Sequence, residues 1–190
     1  MSTGEDLELL RQIHADKNQF AKVYDEYYKP IFGYVFRRVS DYDLARDITS
    51  ECFLKAFLNV HKYRWKGLSI SSWLYRIATN EINMYFRKNR YAPLYLSQLP
   101  EQRADLIDPV STSAEKAEVE RQLRESEDFV IVQKNLSNLS MKYQEVIALR
   151  FFEDKSIKEI SEVLDKKEGT IKSLLSRGIE KLRTALTDKK

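Results

Sequence analysis

Thirty-two lysines and arginines against 29 acidic residues leave this 190-residue chain with a net charge of +3, and five glycines with four prolines favour long helices over a turn-rich β fold. No apolar run approaches the roughly 20 residues that cross a bilayer, and the acidic start MSTGEDLELL lacks the character of a secretion signal, so a cytoplasmic protein without membrane insertion is expected. The lone Cys52 excludes an internal disulfide, only His14 and His61 stand beside it as soft metal ligands, and Cys52 reads as a small core residue.

Charge is spread unevenly, at −2 over residues 1–19, +6 over 20–90, −4 over 91–135 and +3 over 136–190. Two basic blocks around an acidic one suit a chain that grips a polyanion at both ends, and they equally suit ordinary solvated surface. In the first block Phe20, Val23, Tyr24, Tyr27, Ile31, Tyr34 and Val35 recur at helical spacing, with Pro30 placed to kink or break the helix. A second helix begins near Asp41 or Asp43 and runs to about Val60, burying Leu44, Ile48, Cys52 and Phe53 and leaving Asp47, Ser50, Glu51 and Lys55 outside. HKYRWKGLSISS then reads as an aromatic and basic loop.

A third helix is expected over 72–90. At 100° per residue, Leu74, Ile77, Ala78, Ile82 and Tyr85 fall on one side, and Arg76, Asn80, Asn83 and Arg87 on the other. Two guanidinium groups and two amides in a row suit phosphates and base edges; a wet helix face is the plain alternative. Tyr63, Trp65 and Trp73 nearby suit unstacked bases, although a tryptophan placed like Trp73 at a loop–helix junction is more often a core piece.

Pro93, Pro100, Pro109 and the polar run DPVSTSAEKAEVERQ mark a tether up to about residue 135, with some helix allowed between Ser113 and Gln133. The second block opens with a helix from Ser140 through Val146, Ile147, Leu149 and Phe151. Ser156 with Glu159 predicts a capping box for a short helix whose stripe is Ile157, Ile160, Val163 and Leu164. After a polar turn at Asp165–Glu168, a second stripe of Ile171, Leu174, Leu175, Leu182, Ala185 and Leu186 leaves Lys172, Ser173, Ser176 and Arg177 facing outward. That is the pattern of a helix-turn-helix, whose second helix meets base edges and phosphates in the major groove. The isolated signal also fits a solvated helical hairpin. No nucleophile–base pair, glycine-rich phosphate loop or metal set is visible, so neither enzymatic activity nor a cofactor is expected.

Taken together, DLARDITSECFLKAFLNV, WLYRIATNEINMYFRKNR and LSMKYQEVIALRFFEDKSIKEISEVLDKKEGTIKSLLSRGIEKLRTAL resemble the extracytoplasmic-function (ECF) group of bacterial RNA polymerase sigma factors. The resemblance implies an all-α chain of two small helical domains: region 2 over residues 1–92, an acidic linker over 93–135, and region 4 over 136–190. It implies that Asp47, Ser50, Glu51 and Lys55 meet core RNA polymerase, and that Arg64, Trp65, Arg76, Asn80, Asn83 and Arg87 bind the melted −10 element of promoter DNA. Lys172, Ser173, Ser176 and Arg177 would enter the −35 major groove, and a cognate anti-sigma factor would clamp the two domains. The linker would run through the polymerase interior.

Departures from the family pattern are Ser50 for glutamine, Leu174 for arginine, Ser140 for proline and Gly178 for alanine. Serine is an equally good cap, whereas a helix-interior glycine costs about 1 kcal/mol and would soften the recognition helix. A free-standing helix-turn-helix regulator, which would footprint DNA alone, is the rival reading. A second rival, an RNA-binding or adaptor protein, would give no promoter-dependent transcripts with core polymerase.

Overall fold

The computed structural model describes residues 3–63, 68–90, 135–136 and 138–187. Among them every regular element is helical: α1 (Thr3–Ala15), α2 (Phe20–Val39), α3 (Tyr42–Asn59), α4 (Ile70–Arg90), α5 (Met141–Ile147), a π-helical turn (Ala148–Phe152), α6 (Ile157–Leu164) and α7 (Glu168–Thr187). Arg64, Trp65, the expected helix between Ser113 and Gln133, and all but the end of the expected linker lie outside the described residues.

Helix α1 was not anticipated. Its few apolar residues sit among acids, yet Leu9, Leu10 and Ile13 are buried, and His14 Nε2 lies 3.1 Å from the Val60 carbonyl oxygen. Asp16 then accepts from the Asn18 amide at 3.0 Å and starts the single 3-10 turn that leads into α2.

Helix α2 runs unbroken through Pro30, where a break was one of the two expectations. Pro30 denies the Glu26 carbonyl its usual partner, but Pro30 is exposed and water is at hand on that side. Val23 and Tyr27 before it, and Ile31, Tyr34 and Val35 after it, are buried, so both halves are anchored in the core. The helix closes on Ser40 at φ 59°, whose amide donates to the Phe36 carbonyl at 2.8 Å. Asp41 caps α3 by accepting from the Leu44 amide at 2.8 Å.

Helix α3 buries Ile48, Cys52 and Phe53, with Leu44 half-buried. Cys52 is a core residue, its thiol directed at the Leu74 carbonyl at 3.6 Å and pushed up to about 12 by burial. Helix α4 starts earlier than expected because Ser69 accepts from the Ser72 amide at 3.0 Å. Leu74, Ala78 and Ile82 point into the α2–α3–α4 bundle, and Ile77 and Tyr85 are half-buried beside them.

The second helical group departs from expectation in two places. Ser140 occupies the cap position of α5 but makes no side-chain cap bond, and the nearby Leu139 carbonyl accepts from Gln144 Nε2 at 2.8 Å. Past Ile147 the helix widens into the π turn, which inserts an extra residue per turn and shifts the phase. Leu149 stays fully buried, while Phe151, two residues on, is 57% exposed.

Gly178 has a packing role. It is buried where α7 crosses α5, and a Cβ there would lie 3.0 Å from Ile147 Cδ1 and 3.4 Å from Tyr143 Cβ. The expected softening of α7 is offset by this close approach. Gly178→Leu is expected to cost about 1–3 kcal/mol of stability through overpacking, measured by urea unfolding; an unchanged midpoint would refute the tight crossing.

The two helical groups also pack on each other, α6 against α4 and the π turn against α2. Buried apolar side chains form a continuous cluster from Leu9 to Leu175.

Candidate nucleic-acid interface

The α6–α7 hairpin is fixed at three points. Ser156 Oγ accepts from the Glu159 amide at 3.2 Å, and the Ser156 amide donates to Glu159 Oε2 at 2.8 Å, completing the capping box. Asp165 at φ 52° ends α6 in the left-handed conformation, and Ser161 Oγ donates to the Lys166 carbonyl at 2.5 Å. Ile160, Val163, Ile171 and Leu175 are buried between the helices. Lys172, Ser173, Ser176 and Arg177 are all exposed on the outer side of α7.

Burial pushes the Glu159 carboxyl up, but the Ser156 hydroxyl and amide and the Lys155 charge pull it down, and the net is below its usual 4.5. The stabilisation from this carboxylate is therefore present above about pH 4.5 and is lost as pH falls through the lowered value. Ser156→Ala is expected to cost about 1 kcal/mol near neutral pH, with the gap to wild type narrowing in acid. Equal melting temperatures at neutral pH would contradict the role of the cap.

On α4, Asn80 and Arg87 are exposed, whereas Arg76 and Asn83 are half-buried against the C-terminal helices. Arg76 Nη2 donates to the Glu162 carbonyl. Asn83 Nδ2 donates to Glu145 Oε2 at 3.3 Å, and Asn83 Oδ1 accepts from Arg38 Nη2 at 3.4 Å. Arg38 is 3% exposed, reaches Tyr34 Oη at 3.1 Å, and extends the network to Thr79, whose hydroxyl lies 2.8 Å from that of Tyr34. Arg76, Thr79, Asn80 and Asn83 form one wall of a 350 Å³ cleft whose other wall includes Glu145, Asp165 and Lys166. Trp73 is half-buried with its ring 4.5 Å from that of Tyr63.

A buried polar knot joins the helical groups nearby. Glu153 accepts from Arg37 Nη1 at 2.7 Å and from Tyr75 Oη at 2.6 Å, and its side chain is 6% exposed. Burial pushes the Glu153 carboxyl up, against the pull of Tyr75 and Arg37. Lys155 Nζ donates to Ser71 Oγ at 2.9 Å and lies 4.8 Å from the Tyr75 ring centroid.

The third candidate surface lies on α3. Asp47, Ser50 and Glu51 are exposed, while Lys55 is bound to Glu51 at 3.2 Å and to Glu81 of α4 at 2.6 Å. The same face continues through Leu54 and Leu58, which are 51% and 56% exposed, with Phe57 at its edge. Sequence reasoning missed these apolar residues, although the spacing Asp47, Glu51, Leu54, Leu58 already traces one helical stripe. Among the described residues there is no metal-binding group, and no helix is long and apolar enough to cross a membrane.

Residues 23–91 match Sigma-70 region 2, and residues 130–182 match Sigma-70 region 4. The ECF RNA polymerase sigma factor SigW of Bacillus subtilis is 31% identical over 184 residues, an alignment covering 91% of this chain and 91% of SigW. This chain belongs to the ECF sigma factors. ECF RNA polymerase sigma factor BldN of Streptomyces coelicolor is 29% identical over 192 residues, covering 96% of this chain and 66% of BldN. In fold, the sigma factor resembles RpoE of Bartonella quintana, solved with the anti-sigma factor NepR, at a TM-score of 0.65 and 22% identity over 88% of this chain and 96% of RpoE. It is an alternative sigma factor of transcription initiation, and two sigma regions in one chain disfavour the free-standing regulator.

Proposed function

We propose that this sigma factor works through two nucleic-acid grips. Residues 1–92 form the grip for the melted strand, 93–135 the linker and 136–190 the grip for duplex DNA. Lys172, Ser173, Ser176 and Arg177 enter the major groove of the −35 element, and Asn80, Asn83, Arg76 and Arg87, with Arg64 and Trp65, hold the unpaired −10 strand. The observation that carries this reading is the exposure of all four α7 side chains on a hairpin whose opposite face is packed, the presentation that groove reading requires.

Asp47, Ser50, Glu51 and Lys55 dock on core polymerase, and the exposed Leu54 and Leu58 beside them supply apolar contact. The chain acts in the cytoplasm and performs no covalent chemistry. Opening a base costs a few kcal/mol, which stacking at about 1–3 kcal/mol per base offsets. A cognate anti-sigma factor is the expected inhibitor, supported by the partner named for the RpoE structure.

Run-off transcription tests the reading. Core polymerase with the purified chain should yield promoter-dependent transcripts from genomic DNA, and the chain alone should give weak footprints or none. Absence of such transcripts would refute it.

A further inference from the structure

Asn83 can offer a strand either its carbonyl oxygen or its amide nitrogen, and a chain of hydrogen bonds behind it decides which. The Thr79 hydroxyl donates its one proton to the Tyr75 carbonyl at 2.7 Å. In the 2.8 Å contact between Thr79 and Tyr34 the Tyr34 hydroxyl must therefore be the donor. Burial pushes that hydroxyl up, so it keeps its proton to donate. The Tyr34 oxygen accepts in turn from Arg38 Nη1 at 3.1 Å. Arg38 Nη2 reaches Asn83 at 3.4 Å, and because a guanidinium only donates, the atom it meets must be Oδ1. The Asn83 nitrogen is thereby turned away from Arg38, and its neighbour there is a carboxylate oxygen, Glu145 Oε2 at 3.3 Å.

Arg38 is costly to keep inside a helical bundle. It is 3% exposed, its hydrogen-bond partners are a neutral hydroxyl and a neutral amide, and its Nε is buried without a partner. The adjacent Arg37, by contrast, is bound to the Glu153 carboxylate. A well-packed apolar side chain in place of a buried charge is often the more stable choice, which marks the contact with Asn83 as what Arg38 contributes. Positive charge on the oxygen side also polarises the amide and makes its outward N–H groups stronger donors. Tyr34 and Arg38 lie on α2, and Tyr75, Thr79 and Asn83 on α4, so the relay is complete within the N-terminal helices.

We propose that Arg38 is a positioning residue for strand capture: it locks the Asn83 amide with its nitrogen outward, so that Asn83 selects a hydrogen-bond acceptor of the unpaired strand, a phosphate oxygen or a base acceptor, and not an exocyclic amino group. The inference rests on α4 being the helix that holds the strand.

The test uses holoenzyme and a fluorescent fork template, duplex at −35 and single-stranded at −10, taken from a promoter found by run-off transcription. Asn83→Ala and Arg38→Met are each expected to weaken fork binding about fivefold. The double variant should lose no more than either alone, because Arg38 acts through Asn83. Methionine is unbranched and adaptable enough to fill the arginine's place without its charge, and circular dichroism with an unchanged affinity for −35 duplex checks that the variant folds. Asn83→Asp leaves Arg38 in place and keeps an oxygen for it, but turns an acceptor outward, and should bind at least as weakly as Asn83→Ala. A loss that depends on the base at one −10 position supports the proposal with a base acceptor as the contact, and an equal loss on every fork supports it with a phosphate. Arg38→Met binding like wild type, an Arg38→Met loss that persists undiminished beside Asn83→Ala, or Asn83→Asp binding like wild type would overturn the proposal while leaving α4 as the strand-holding helix. Asn83→Ala binding like wild type would defeat the proposal together with the place of Asn83 in the reading of α4.

Discussion

Holoenzyme carrying Lys172→Glu and Arg177→Glu is expected to bind a −35 duplex roughly 100-fold more weakly than wild type, with transcription falling in step. Each lost groove contact removes about 1–3 kcal/mol of favourable interaction, and a carboxylate near the phosphates replaces attraction with repulsion. The fold transmits none of this elsewhere, because both side chains are exposed and the hairpin core of Ile160, Val163, Ile171 and Leu175 lies on the other side of α7. The slope of log affinity against log salt should fall by about 0.9 for each phosphate contact removed. Ser173→Ala should cost less, since it removes one neutral hydrogen-bonding group. An unchanged affinity and slope in the double variant would place the groove-reading surface elsewhere on the molecule.

The α7 face was legible in the sequence because local pattern decides it. A cap, a short stripe, a polar turn and a second stripe determine which side of the hairpin is dry, and Ser156, Ile160, Ile171 and Leu175 occupy the positions expected of them. The α2–α3–α4 bundle was legible for the same reason, down to the buried Cys52. What escaped were features that depend on a partner surface. Gly178 looked like a weakness within α7 and is an accommodation to Ile147 on another helix. Phe151 continues an apolar run, but the π turn puts it outside.

The wheel at α4 separated Arg76, Asn80, Asn83 and Arg87 from the bundle core, yet it carries no information about a second helical group arriving from the other side. Arg76 and Asn83 hydrogen-bond to that group, whereas Asn80 and Arg87 are exposed. Glu153 was passed over because its importance comes from Arg37 and Tyr75, far away along the chain. An acid directly following Phe151 and Phe152 was its only sequence signal.

That split along α4 gives a second prediction with a large effect and two distinguishable parts. In holoenzyme, Arg76→Ala with Asn83→Ala and Asn80→Ala with Arg87→Ala are each expected to reduce promoter opening about tenfold or more, since a hydrogen bond to a charged group contributes about 1.5–3 kcal/mol. Permanganate reactivity of unpaired thymines reads the effect directly. In the free chain the pairs should part company. Losing Arg76 and Asn83 removes the donors to Glu162 and Glu145 and should enlarge the molecule, whereas losing the exposed Asn80 and Arg87 should leave its radius unchanged. A pair that impairs opening in holoenzyme without moving the free chain reads DNA alone, and a pair that does both also holds the C-terminal helices in place. If all four residues can be removed with promoter opening intact, α4 does not hold the strand, whatever its shape in the free protein.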